Sequence, residues 1–163
     1  MYKQFLFVIS CNSVYGNFKI CDSIFPANGN TFIIDTRILF PEELHLNTIH
    51  YYNAEDDTSS VRFGQAFFSL LREHVTPNHT LIFLCIGSDR ATGDSLGPLI
   101  GYKLEQQTHR SYIVYGTLEA PVHAKNLATV VEQIHSRYHN PYIIAIDASL
   151  GKQAHIGYYT LGV

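Results

Sequence analysis

Runs of basic residues and long apolar stretches are both missing from this 163-residue sequence. Its 11 Lys and Arg residues and 14 Asp and Glu residues leave a net charge of −3, and the basic residues do not cluster. Electrostatic binding to nucleic acid or to an anionic membrane surface is therefore not indicated. No apolar stretch approaches the ~20 residues that span a bilayer. With 46% hydrophobic and 15% charged residues, the sequence predicts one globular domain with a sizeable core.

Cysteine is also scarce. Cys11, Cys21 and Cys85 are odd in number and match no zinc-ligand spacing. Free thiols in a reducing cytoplasm are the simplest interpretation, and Cys85 is expected to be inert within an apolar strand. The apolar segment Phe5–Ile9 is shorter than the apolar region of a secretory signal. We therefore expect a cytoplasmic protein.

Signatures of nucleotide binding are absent. Gly87 and Gly93 begin a spacing that resembles a phosphate loop, but the Gly-Lys-Ser/Thr ending is missing, as is the Gly-x-Gly-x-x-Gly fingerprint. Arg90, in the same loop, is still a candidate for binding an anionic group. Ser95 and Ser149 stand in no evident Ser–His–acid order, so a serine nucleophile is not predicted.

The hydrophobic pattern divides the chain into two parts. Residues 1–59 are predicted to be an irregular, aromatic and Asn-rich N-terminal extension, in which Phe5–Ile9 and Thr31–Ile34 are candidate strands. Residues 60–163 are predicted to form an α/β domain. The predicted elements are a helix over 61–74, a strand Leu81–Ile86, a helix Ser95–Gln107, a strand Tyr112–Tyr115, a helix Asn126–Tyr138, a strand Tyr142–Ile146 and a candidate strand Ile156–Leu161. This alternation predicts a three-layer αβα architecture with a mostly parallel sheet.

Asp94 follows the first buried strand, at the point where a helix begins. The carboxyl edge of a parallel sheet is where α/β proteins bind ligands, which makes Asp94 a candidate site residue. Gly87 and Gly93 permit close backbone approaches in the intervening loop. An ordinary helix N-cap is the alternative interpretation, because Asp is among the preferred caps.

Asp147 ends the strand Tyr142–Ile146 in the same way. Neighbouring parallel strands end on one side of the sheet, so Asp94 and Asp147 could face one crevice. Two close carboxyl groups either share a proton or hold a cation between them. Capping of the turn that follows is the alternative for Asp147.

His123 and Glu119 lie in the loop that follows the middle predicted strand, which opens on the same edge. A histidine there could ligate a metal or move a proton. A surface histidine near a helix start is an equally good interpretation, and Glu119 is the weaker candidate of the two.

Three segments carry a family resemblance: Cys85–Pro98, Val114–Ala124 and Ile143–Gly151. In this order they resemble the YyaC family of sporulation proteins from endospore-forming Firmicutes. That family is similar in turn to the spore germination protease and to the hydrogenase maturation endopeptidases. The resemblance covers roughly residues 60–163 and implies a phosphorylase/hydrolase-like fold. Members of the family continue past the position of Val163, so the resemblance implies a C-terminally truncated domain.

The resemblance also implies a chemistry. Thr92–Pro98 matches a germination-protease segment that holds one catalytic Asp, and Ile143–Asp147 matches the strand that ends in the other. A sporulation-associated endopeptidase is implied, either aspartic-type or assisted by a divalent metal held by Asp94, Asp147 and His123. Its partner would be a peptide or protein substrate, in the cytoplasm or spore core. A catalytically inactive protein that binds a peptide or small ligand is the alternative.

Overall fold

The computed structural model describes residues 49–90, 92–108, 110–148 and 153–162. The predicted strands Phe5–Ile9 and Thr31–Ile34 lie outside these residues. The described elements are β1 (Ile49–Asn53), α1 (Ser59–His74), β2 (Thr80–Cys85), α2 (Leu96–Glu105), β3 (Ile113–Tyr115), α3 (Leu127–Arg137), β4 (Pro141–Ile146) and β5 (Tyr158–Gly162). Two short 3₁₀ turns, Thr92–Asp94 and Gln153–His155, lie between them.

The centre of the fold is a parallel sheet of three strands in the order β3-β2-β4. Ile82 pairs with Ile113 on one side and with Ile143 on the other. All six residues of β4 and the last four of β2 are buried, as expected of parallel strands that are covered on both faces. The parallel sheet predicted from the apolar runs is therefore confirmed.

Alternate residues of the sheet belong to two separate hydrophobic clusters. Phe83 packs in a cluster with Phe63 of α1 and Ile100 of α2. Leu84 packs in the other cluster, with Val131 of α3. Within its described residues, the chain is thus a mixed α/β fold with a parallel sheet of three strands and three helices. The finer class, a three-layer αβα architecture of the phosphorylase/hydrolase type, stays a prediction.

β5 differs from the expected fourth strand. It pairs antiparallel with β1 in a separate two-stranded sheet and, among the described strands, does not join the parallel sheet. β1 lies within the segment that was predicted to be irregular. Tyr52 of β1 stacks on Tyr159 of β5 at 5.5 Å between ring centroids, and both rings contact Phe63 of α1. Backbone pairing joins the two strands, and aromatic packing attaches them to α1.

None of the helices in the described part of the chain combines the length and the apolar character needed to cross a bilayer.

Candidate functional site

The loop after β2 is held against the sheet by backbone hydrogen bonds. Gly87 donates its N–H to the Val122 carbonyl at 2.7 Å, and Ser88 donates its N–H to the Asp94 carbonyl at 2.9 Å. Gly87 has φ +145°, and a Cβ atom at this position would lie 2.0 Å from the Asp94 carbonyl oxygen. Only glycine fits such a close approach at positive φ. Gly87 thus fixes where the loop returns to Asp94.

Asp94 is the last residue of a 3₁₀ turn, one position before the N-cap of α2. The N-cap is Ser95, so Asp94 does not occupy the ordinary cap position considered above. The Asp94 side chain is half-buried, and burial raises the pKa of its carboxyl group. The Ser88 N–H and the nearby His123 act in the opposite direction and lower this pKa in part.

Asp147 follows the last residue of β4 and is 2% exposed. Neither of its carboxyl oxygens has a hydrogen-bond partner among the described residues. Burial, with a smaller contribution from the negative charge of Asp94, raises the pKa of Asp147 to about 7. The Ala148 N–H lowers the pKa in part, although its geometry falls short of a full hydrogen bond. A buried polar group without a partner is rare and calls for a functional explanation.

The structure brings three predicted site residues to one edge of the parallel sheet. Asp94, Asp147 and His123 follow β2, β4 and β3, respectively. Asp94 lies within electrostatic range of both others, since it affects the pKa of Asp147 and is itself affected by His123. This agrees with the expectation that the carboxyl ends of parallel strands meet.

The loop that carries His123 is held by Asn126, a residue that sequence reasoning missed. Asn126 accepts the His123 backbone N–H at 2.8 Å and donates its side-chain amide to the Pro121 carbonyl at 3.1 Å. It stands at the N-cap position of α3, where Asn is a preferred residue type. That preference was the only signal in the sequence that could have singled it out.

The remaining candidates lie at the surface of the molecule. Arg90, Gly93 and Glu119 are exposed. Among the residues that the structure describes, no recorded hydrogen bond or ion pair joins Arg90 or Glu119 to Asp94 or Asp147.

The three-residue metal set does not form in this geometry. No group of three or more His, Cys, Asp or Glu side chains within the described ranges is close enough to hold a metal ion. Asp94, Asp147 and His123 thus share one edge without the spacing of a coordination sphere.

Ser95 stands between Gly93 and Gly97 in a Gly-x-Ser-x-Gly spacing, which is shared by the nucleophiles of α/β-hydrolases. Those nucleophiles lie on a sharp, strained turn between strand and helix. Ser95 instead has an ordinary helical backbone, with φ −84° and ψ −5°. A Cβ at Gly97 would lie 2.0 Å from the Ile86 carbonyl oxygen, so close packing of α2 on β2 explains that glycine.

Comparison with known proteins identifies the family. The model of the family described as "Protein of unknown function (DUF1256)" matches residues 51–162. The chain belongs to this family. It is also similar to the "Uncharacterized protein YyaC" of Bacillus subtilis strain 168, with 48% identity over 82 residues. The aligned segment covers 50% of this chain and 40% of that relative.

These matches confirm the predicted membership in the YyaC family, and the Bacillus relative agrees with the expected origin in Firmicutes. No solved structure matches the chain. The similarity to the germination protease and to the hydrogenase endopeptidases stays a prediction.

Proposed function

We propose that this chain forms the acid–base site of a peptidase that acts during sporulation, in the cytoplasm or the spore core. The observation that supports this most is Asp147. Its carboxyl group is buried without a hydrogen-bond partner among the described residues, beside a second carboxyl group at the edge of a parallel sheet. Perturbed carboxyl groups of this kind are enriched at catalytic sites. Peptide bonds as substrate, and the three-layer hydrolase-like class, follow from the resemblance to the germination protease.

The different environments of the two acids assign their roles. Asp147 has a pKa of about 7 and keeps its proton below that pH, which suits a general acid. Burial raises the pKa of Asp94 as well, but Asp94 is more exposed than Asp147, and the Ser88 N–H and His123 offset part of the rise, which suits the general base of the pair. A carboxylate–carboxylic acid pair of this type activates water in aspartic peptidases.

Peptide hydrolysis by this pair needs only the peptide and one water molecule. Asp94 takes a proton from water as the water oxygen bonds to the peptide carbonyl carbon, and Asp147 gives its proton to the carbonyl oxygen. When the C–N bond breaks, the leaving nitrogen takes the proton held by Asp94, and the carbonyl re-forms as its hydroxyl proton returns to Asp147. The pair ends in its starting protonation state.

A ligand-binding protein without catalytic activity is the second candidate. One observation favours it: both carboxyl oxygens of Asp147 are fully buried, so a substrate cannot contact them in this conformation. In that case Asp94 would be the group that meets the ligand. Stabilisation of the chain by peptides, without cleavage, would identify this function.

Cleavage of a mixture of synthetic peptides, followed by mass spectrometry, tests the proposal. We expect Asp94→Asn and Asp147→Asn each to slow cleavage by about 10²–10⁴-fold, the range of general acid–base catalysis. Asp89→Asn is the matched control, since Asp89 is an exposed acid in the same loop, and it should change the rate little. The rate should also fall as the pH rises through about 7, because Asp147 then loses its proton. Equal rates for the wild type and the double Asn variant would exclude the pair as catalytic.

A further inference from the structure

A pocket of about 330 Å³ lies beside β3, in addition to the site of the two acids. Apolar side chains form part of its walls, among them Val114, Pro121, Val122 and Val130. Its volume is at the lower end of the range for ligand pockets. A single long side chain fits this space better than a cofactor does.

Glu105 is the charged residue of the pocket lining. It is exposed, it is the last residue of α2, and it makes no ion pair with a described residue. The free carbonyl groups at a helix C-terminus carry partial negative charge, which favours cations and disfavours an acid at this position. A carboxylate placed there makes one end of the pocket negative. The pocket therefore suits a group with an apolar stem and a cationic head.

β3 runs along the same pocket, since Val114, Tyr115 and Gly116 also line it. Among the described strands, β3 pairs only with β2 and forms one edge of the parallel sheet. The free edge of a strand offers backbone N–H and C=O groups, to which an extended peptide can bind as an added strand. In that binding mode, adjoining pockets take alternate side chains of the peptide and provide specificity.

The pocket is connected to the acid-bearing loop through Val122. Its carbonyl accepts the Gly87 N–H, and His123 follows it directly. A peptide that extends along β3 beyond the pocket would thus reach the edge where Asp94 lies.

We propose that the edge of β3 binds an extended peptide segment and places a Lys or Arg side chain of that segment in the adjoining pocket. The aliphatic stem packs against the valines and Pro121, and the cationic head pairs with Glu105. The inference rests on the proposed peptidase function, because it names the class of substrate. Binding can nevertheless be measured without cleavage, so the two proposals fail separately.

The experiment compares three five-residue peptides that are blocked at both ends and differ only at the centre, which is Lys, norleucine or Glu. Their dissociation constants are measured by calorimetry on the full chain carrying Asp94→Asn, which is expected to slow turnover strongly. We expect the Lys peptide to bind about two- to fivefold more tightly than the norleucine peptide, the range of an exposed ion pair. The Glu peptide should bind most weakly, and added salt should reduce the differences.

Two further variants locate the binding. Glu105→Gln should bring the affinity for the Lys peptide down to that for the norleucine peptide. Glu132→Gln is the control: it removes an exposed charge on α3, outside the pocket lining, and should leave the affinity for the Lys peptide unchanged. Ala120→Phe, at an exposed position of the pocket lining, should weaken binding of all three peptides. Equal affinities for the Lys and Glu peptides, or an effect of Glu132→Gln as large as that of Glu105→Gln, would overturn the inference. Binding that follows the expected order without cleavage in the wild type would support it and count against the peptidase.

Discussion

At the scale of the residue, Asp147 is the most deeply buried acidic side chain in the described part of the chain. A carboxyl group that is 2% exposed normally gains several hydrogen bonds or a cation partner, and Asp147 has neither among the described residues. Protonation is the means by which such a group avoids a buried charge. The cost of its burial therefore depends on pH, and this dependence is measurable without knowledge of any substrate.

The titration of Asp147 should lower the free energy of unfolding as the pH rises. The pKa of Asp147 is about 7 in the folded chain and 3.8 in the unfolded one, so the folded state binds the proton more tightly. The stabilisation that this provides is fully present below the unfolded value and is lost as the pH rises through about 7. Between pH 5 and pH 8 the loss amounts to roughly 2–3 kcal/mol.

Urea unfolding of the wild type and of Asp147→Asn at these two pH values measures the effect. In the Asn variant, the drop in the free energy of unfolding should be smaller by the same 2–3 kcal/mol, because Asn does not titrate. Asp89→Asn should retain the wild-type drop. An unchanged drop in Asp147→Asn would show that Asp147 is ionised throughout in the folded protein.

At the scale of the element, α1 and α2 use glycine for different reasons. Gly64 lies within α1, and a Cβ added there meets no atom within 4 Å. Gly101 lies within α2, and a Cβ there would be 2.2 Å from the Gly116 carbonyl oxygen. In α2 the glycine lets the helix approach the end of β3, so it helps to position the helix that Asp94 precedes.

Alanine substitutions at these two glycines should have opposite effects. Gly64→Ala should stabilise the protein by roughly 0.5–1 kcal/mol, since alanine reduces the backbone freedom of the unfolded chain. Gly101→Ala should destabilise it by about 1–3 kcal/mol, as expected for overpacking against backbone atoms. Thermal unfolding monitored by circular dichroism measures both changes. Stabilisation by both substitutions would show that α2 does not need its close approach to β3.

At the scale of the whole molecule, the sheet of β1 and β5 packs on the same hydrophobic cluster as one face of the parallel sheet. Leu161 is fully buried in that cluster together with Phe63 and Ile144. Contacts that are distant in sequence thus join the end of the described chain to its centre. The two sheets should unfold as one cooperative unit.

Leu161→Ala tests this cooperativity. We expect it to lower the free energy of unfolding by roughly 2–5 kcal/mol, the range for a leucine removed from a core. Amide exchange should accelerate in β2 and β4 as well as in β5. Ile156→Ala is the control at a 48% exposed position and should stay within about 0.5 kcal/mol of the wild type. Faster exchange confined to β1 and β5 would show that their sheet unfolds separately.

Local patterns were enough to predict the centre of the fold. The runs around Phe83 and Ile144 are short and continuously apolar, as in strands that are buried on both faces, and the helical spacing between them favours parallel pairing. The same patterns placed Asp94 and Asp147 after neighbouring strands, at the edge where the structure has them.

Residues close together in the chain are enough to predict the parallel sheet, its helices, the family and the edge that carries the two acids. Three features come from the tertiary structure alone: β1 pairs with β5, Asp147 is buried without a partner among the described residues, and Glu105 borders a pocket beside β3. Each of these depends on segments far apart in sequence. Burial and electrostatic environment are properties of such contacts, and no local pattern encodes them.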